Sequence, residues 1–249
     1  KIRAPRGYIY DKNYKPLVIN KAAYQLNITP YYFRKNPDVK KSLIEISGII
    51  KIPVEVIEEK LNECREYMLE PIVIKRNLND HEISMIEEKA IEISGIYISQ
   101  DPIRFYNYDS LASHAIGYTG EISQDQLKDK KDYSPGDIVG QTGVENFYDK
   151  ELRGKDGVMY ILTDAFGRQK EIINTVKPKQ GNNIVLTIDH SLQRYAEELM
   201  DENNYKGTIV ACNPKTGEIL CMVSKPGYNL NYFSGAIDIK EWKKLKKLL

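Results

Sequence analysis

The chain has 249 residues, 41% hydrophobic and 29% charged, with 36 Lys and Arg against 35 Asp and Glu for a net charge of +1. That size suits one large or two ordinary domains, and that composition excludes a disordered tail. The near-cancelled charge argues against nucleic acid as the main partner, because phosphate binding needs a concentrated basic excess.

No stretch reaches the roughly 18 apolar residues that span a bilayer, and no signal peptide is present. The chain opens on Lys1-Ile2-Arg3 rather than Met, and it reads as a processed segment. His81, His114 and His190 are scattered without metal-ligand spacing, so no metal and no cofactor are expected.

Taken in order, residues 6–11 (RGYIYD), 16–20 (PLVIN) and 23–28 (AYQLNI) predict strands around a polar turn at 12–15. Asn36-Pro37 reads as a helix cap, followed by Val39, Leu43, Ile44 and Ile46 at helical spacing. A second helix runs from Pro53 with Val56, Ile57, Leu61 and Cys64 on one face. Residues 71–74 predict a strand. Asn79 and Glu82 form a capping-box pattern that opens a third helix through Met85, Ile86 and Ala90.

Residues 96–104 return to strand. Short helices are expected at 111–116, 124–130 and 144–152, the last closed by Gly154. Residues 158–176 predict strands around a turn at 164–167, and 177–181 (KPKQG) is the most linker-like segment. A strand at 184–188 leads to a helix from Asp189 to about Asn203, whose expected apolar face carries Leu192, Tyr195, Ala196 and Leu199. The basic run at 240–249 (KEWKKLKKLL) reads as an exposed helix face.

The stretch 213–220 (NPKTGEIL) contains Lys-Thr-Gly, one of three motifs that build the active site of penicillin-recognising serine enzymes. A working site also needs a serine whose proton is taken by a lysine one helical turn away, Ser-x-x-Lys. None of the twelve serines has lysine three positions on, and none begins Ser-x-Asn. Asn213 and Pro214 suit the first two positions of a type I turn. Gly217 supplies the left-handed residue of a G1-type bulge, and Pro214 would break the ladder of a catalytic strand. Asn213, Pro214, Lys215, Thr216 and Gly217 are therefore expected to form a hairpin turn, with no catalytic residue in the chain. Counted outward from the turn, Cys212 and Cys221 share a face but lie diagonally, too far apart for a disulfide.

Four blocks carry a family resemblance: residues 6–20, 104–123, 136–157 (followed by Asp164 and Gly167-Arg168), and 186–193 joined to the NPKTG hairpin and the residues after it. Together they resemble the N-terminal part of class B penicillin-binding proteins, most closely the elongation-type penicillin-binding protein 2 branch. The family pattern has glycine where this chain has Tyr14 and Asp109, and arginine where it has Lys12, so the first turn is expected to differ in type.

The resemblance implies an α+β fold: an elongated pedestal at 1–35 and 101–178, an inserted α+β head subdomain at 36–100, and the truncated beginning of a β-lactamase-like transpeptidase domain at 183–249. Glu241-Trp242 would lie on the way to the nucleophile, and the catalytic motifs beyond Leu249. It implies a parent serine D,D-transpeptidase acting in cell elongation on peptidoglycan stem peptides and acylated by β-lactams. That parent would be a single-pass inner-membrane protein, anchored before Lys1, with this segment on the periplasmic side. The implied partners are a RodA-type glycan polymerase and an MreC-type scaffold. The alternatives are a division-type pedestal and a stand-alone cell-wall interaction module.

Within the blocks, Arg6, Gly7, Asp11, Arg104, His114, Gly117, Gly143, Glu145, Arg153 and Gly154 are the structural motif residues. Arg6, Glu145 and Arg153 are expected to form a charge network in which Glu145 pairs with an arginine. The glycines are expected to serve backbone conformation or close packing, and His114 a structural hydrogen bond.

Overall fold

A computed structural model describes residues 2–65, 67–163 and 169–234; the turn expected at 164–167, the Asp164 and Gly167-Arg168 motif, Glu241-Trp242 and the basic run at 240–249 lie outside them. The elements are β1 (Ile9–Tyr10), β2 (Pro16–Ile28), α1 (Pro30–Phe33), α2 (Val39–Ile50), α3 (Val54–Asn62), β3 (Ile72–Lys75), α4 (Asp80–Glu92), β4 (Ile96–Tyr106), α5 (Ser113–Ile116), β5 (Thr119–Glu121), α6 (Gln124–Asp129), β6 (Ile138–Gly140), α7 (Gly143–Phe147), α8 (Asp149–Leu152), β7 (Val158–Thr163), β8 (Gln169–Val176), β9 (Ile184–Val185), α9 (His190–Glu202), β10 (Gly207–Cys212) and β11 (Ile219–Lys225), followed by a 3-10 turn, Leu230–Phe233. The chain divides into two compact units, and β2 and β4 each give one part to either unit.

The first unit comprises residues 1–3, 22–102 and 156–177. Its antiparallel pairing of β2 with β3 aligns Leu26 with Lys75 and Ile28 with Ile72. Leu26, Ile28, Phe33, Ile46, Ile57 and Ile86 form its core. The capping box at α4 is formed in both directions between Asn79 and Glu82. The cap of α2 is Asp38, which accepts from the Lys41 amide. Asn36 instead donates to the Phe33 and Ser94 carbonyls, because a reverse turn at 33–36 precedes the helix. The β7–β8 ribbon exposes Tyr160, Leu162 and Ile173.

Among the described residues, the second unit comprises 4–21, 103–155 and 178–234. Here β1 lies between β2 (Ile9 opposite Val18, antiparallel) and β9 (Ile9 opposite Ile184, parallel). Ile9, Leu17, Val18, Tyr106, Ile116 and Leu152 pack beneath them. The division falls at 21/22 and 102/103. Three local expectations are corrected. The helix expected over 144–152 is two helices broken at Tyr148, whose φ −102° and ψ 28° leave the helical region. The strand expected over 184–188 covers only Ile184–Val185. Residues 16–28 form a single strand.

Helix α9 packs on β11 through Gln193, Ala196, Glu197 and Met200, leaving Leu192, Tyr195 and Leu199 largely exposed. The buried stripe is rotated by one residue from the apolar one. The Gln193 side-chain amide donates to the Met222 carbonyl (2.9 Å) and accepts from its N–H (2.8 Å), standing in for a neighbouring strand. The β10–β11 hairpin pairs Ala211 with Cys221, and Cys212 with Ile219 across a register shift. That shift, not anticipated in counting from the turn, puts buried Cys221 and exposed Cys212 on opposite faces.

Candidate functional site

The motif arginines and acids from three distant stretches meet in the second unit. Arg6 precedes β1, Arg104 lies near the end of β4, and Glu145 and Asp149 lie on α7 and α8. Glu145 is fully buried. One carboxylate oxygen accepts from Arg104 Nε at 2.6 Å, and the other from Arg6 Nε at 3.1 Å and Nη2 at 2.9 Å. Arg6 Nη2 also donates to the Glu145 carbonyl (3.2 Å), and Nη1 to Asp149 Oδ1 (2.8 Å). Arg104 Nη1 donates to the Gly7 carbonyl at 2.7 Å. Asp149 also accepts from the Gly140 N–H (2.9 Å), the Tyr133 hydroxyl and Lys130.

Two carboxylates thus neutralise two guanidiniums, the arrangement that makes buried charge tolerable. Burial works against the Arg6 charge, but Glu145 and Asp149 outweigh it and hold the guanidinium more firmly protonated. Burial would raise the Asp149 carboxyl, yet Arg6, the Tyr133 hydroxyl and the Gly140 N–H carry it below its ordinary value. The ring of Tyr106 lies fully buried alongside, its hydroxyl accepting from the Thr119 N–H and its ionisation pushed well up by burial and Glu145.

Arg153 stands apart from Glu145. It pairs with Asp137 (3.2 Å), donates to the Asp132 carbonyl and lies 3.8 Å over the Tyr133 ring. Asp11 is buried rather than solvated. Its carboxylate accepts from the Asn13 and Lys15 amides, closing the 11–15 turn, and from the His190 amide at the start of α9. Tyr14 and Asp109 take φ 61° and 47° at the two positions where the resembled pattern has glycine. The first turn therefore carries a left-handed residue at Tyr14.

Close approach explains the motif glycines. Gly117 (φ 74°) and Gly143 (φ 57°) bring residues 115–117 against 142–143, where an added Cβ would fall 2.0 Å and 2.5 Å from a carbonyl oxygen. Gly7 faces the Asn182 carbonyl, and Gly154 the Lys179 carbonyl, just as tightly.

A second cluster ties residues 106–118 to the segment after β11. His114 Nε2 donates to the Pro226 carbonyl at 3.0 Å, and its ring stands edge-on to Tyr228. Asn231 accepts from the Tyr106 N–H and donates to the Tyr106 carbonyl and Asp109, all at 2.9 Å. Tyr118 stacks on Phe233 with centroids 3.8 Å apart. Buried Glu197 accepts from the Ala112 amide (2.7 Å) and from Gln193, and pairs with Lys225.

The 213–217 stretch is the expected reverse turn. The Gly217 N–H donates to the Asn213 carbonyl, the Lys215 N–H to Asn213 Oδ1, and Gly217 has φ 76°. Lys215 caps an exposed hairpin with no serine hydroxyl among its hydrogen-bond partners in the described residues. No group of three or more His, Cys, Asp or Glu among the described residues could hold a metal.

Sequence reasoning missed Asp149, Tyr133, Glu197 and Asn231. Only Asp149 left a signal, four residues after Glu145 on an expected helix.

Comparison with known proteins gives one consistent picture. Residues 1–186 match the family described as the penicillin-binding protein dimerisation domain. The peptidoglycan D,D-transpeptidase MrdA of Salmonella typhimurium is 32% identical over 96% of this chain and 39% of its own. Penicillin-binding protein 3 of Bacillus subtilis is 33% identical over 99% of this chain and 36% of its own. Among solved structures, the complex between penicillin-binding protein PBP2 and MreC from Helicobacter pylori matches with a TM-score of 0.73 at 28% identity, covering 98% of this chain and 45% of that one. The chain thus spans less than half the length of these relatives.

Proposed function

Since this chain belongs to the family of the penicillin-binding protein dimerisation domain, we propose that it is the non-catalytic pedestal of a longer serine D,D-transpeptidase that cross-links peptidoglycan during cell elongation. The observation that carries this reading is the buried Arg6–Glu145–Arg104–Asp149 network. It joins stretches up to 143 residues apart, and the Asn231, Glu197 and His114 bonds extend the same unit to residue 234. Such a body fixes the direction in which the following polypeptide leaves it. It offers no Ser-x-x-Lys of its own, so the nucleophile that stem peptides and β-lactams would acylate belongs to the rest of the longer protein.

In this reading residues from 183 onward begin the transpeptidase domain, and the pedestal docks an MreC-type scaffold and a RodA-type polymerase. The solved PBP2–MreC complex of a 28% identical relative supports the first of these partners. No helix among the described residues is long and apolar enough to cross a membrane; the anchor would precede Lys1, with this segment on the periplasmic side.

A fluorescent penicillin tests the reading. Covalent labelling of the longer protein, with none on the 249-residue chain, is expected; specific labelling of the chain alone would overturn it. Depletion of the longer protein should give round cells, and filaments would move the assignment to division.

A further inference from the structure

We propose that His190 is an acid-sensitive latch fastening the head of α9 to the Asp11–Lys15 turn. The geometry rests on a lysine that donates to a histidine. Lys15 Nζ lies 3.1 Å from His190 Nδ1, and an ammonium has only donors. Nδ1 must therefore be the unprotonated nitrogen of a neutral ring, with the proton on Nε2. The ring is 2% exposed, and Nε2 is buried with no hydrogen-bond partner among the described residues. A proton arriving on Nδ1 would turn the acceptor into a donor facing a donor and set two cations 3.1 Å apart.

The groups around the ring offer little relief. The Asp11 carboxylate is already bound by the amides of Asn13, Lys15 and His190 itself. Asp189 is engaged by Lys12 at 2.8 Å and by the Ser191 and Leu192 amides. Arg194 adds positive charge one helical turn along. The Tyr108 ring lies 4.3 Å from the imidazole, with Lys15 Nζ over it at 5.3 Å. Burial, then Lys15 and Arg194, push the His190 imidazolium below its ordinary 6.5.

The sign follows from that depression. Above pH 6.5 the ring is neutral in both folded and unfolded chains, and the junction keeps its full stability. Below it the unfolded chain takes up a proton that the folded junction resists, so stability falls as pH drops. The latch joins the first motif block to the helix that follows the linker-like 177–181 segment. Acidification would loosen that attachment while the Glu145 network, which has no histidine, stays intact.

Two measurements on the 249-residue chain decide the matter. Heteronuclear NMR should show the His190 ring neutral at pH 6.5 and carrying its proton on Nε2; titration at or above 6.5, or an Nδ1–H tautomer, would overturn the proposal. Hydrogen exchange, corrected for intrinsic rates, should show protection of the first α9 amides falling several-fold from pH 7 to pH 5 in the parent. The same amides should change little in His190→Phe, and Lys15→Met, which removes a cause of the depression, should shrink the loss. Equal pH profiles in parent and both variants would also overturn it.

Discussion

Removing the Glu145 carboxylate is the most demanding test of the buried network. Glu145→Ala deletes the acceptor of three short bonds and leaves Arg104 with only the Gly7 carbonyl and Asn20 for partners among the described residues. Arg6 retains Asp149. Breaking one partner out of a buried ion pair costs about 3–5 kcal/mol, because the other charge stays desolvated. At about 2–4 °C per kcal/mol for a protein of this size, the midpoint should fall by roughly 6–20 °C.

Glu145→Gln keeps the shape and one oxygen and should cost about 2 kcal/mol. The double substitution Glu145→Leu with Arg104→Met removes both charges and should recover at least half of the loss, since a matched apolar pair carries no desolvation penalty. The assay is circular dichroism during thermal and urea unfolding, with the single and double variants read as a cycle. A Glu145→Ala midpoint within about 1 °C of the parent would refute the reasoning, as would a double variant no better than the single one.

Acid should act on the same unit through Asp149. Its depressed carboxyl contributes stability that is present above its ordinary value of 3.8 and is lost as pH falls through the lower folded value; Asp149→Asn should flatten the unfolding profile below that pH. Gly140→Ala would place a Cβ 1.9 Å from the Glu145 carbonyl and should destabilise by about 3 kcal/mol or more, measurable by urea midpoint. Lys215→Ala should leave the midpoint within about 0.5 kcal/mol of the parent, and penicillin labelling of the longer protein unchanged. Iodoacetamide should modify Cys212 quickly and Cys221 only on unfolding, because the hairpin register puts them on opposite faces.

Much of this organisation was legible in the residues. The capping box at Asn79 and Glu82 and the turn at Asn213–Gly217 are local signals, and local signals survive folding. The elements that misled are those decided by distant partners. The buried stripe of α9 follows Gln193 and Glu197, whose partners are the Met222 backbone and the Ala112 amide, and hydropathy alone favours Leu192 and Tyr195. Arg153 shared a motif with Glu145 but found Asp137 and Tyr133 instead, partners supplied by the 132–137 stretch. Tyr14 and Asp109 hold left-handed backbone without glycine, a conformation that their residue types do not announce.

The parallel pairing of β1 with β9 also bears on how the polypeptide is made. Ile9 lies beside Ile184, the Tyr8 amide donates to Asn183, and Gly7 fits against Asn182. On a ribosome adding about 5–20 residues per second, the first ten residues wait roughly ten seconds or more for those neighbours to emerge. Throughout that interval the side of β1 that will meet β9 stays open, while Ile9 can already pair with Val18 of the neighbouring strand.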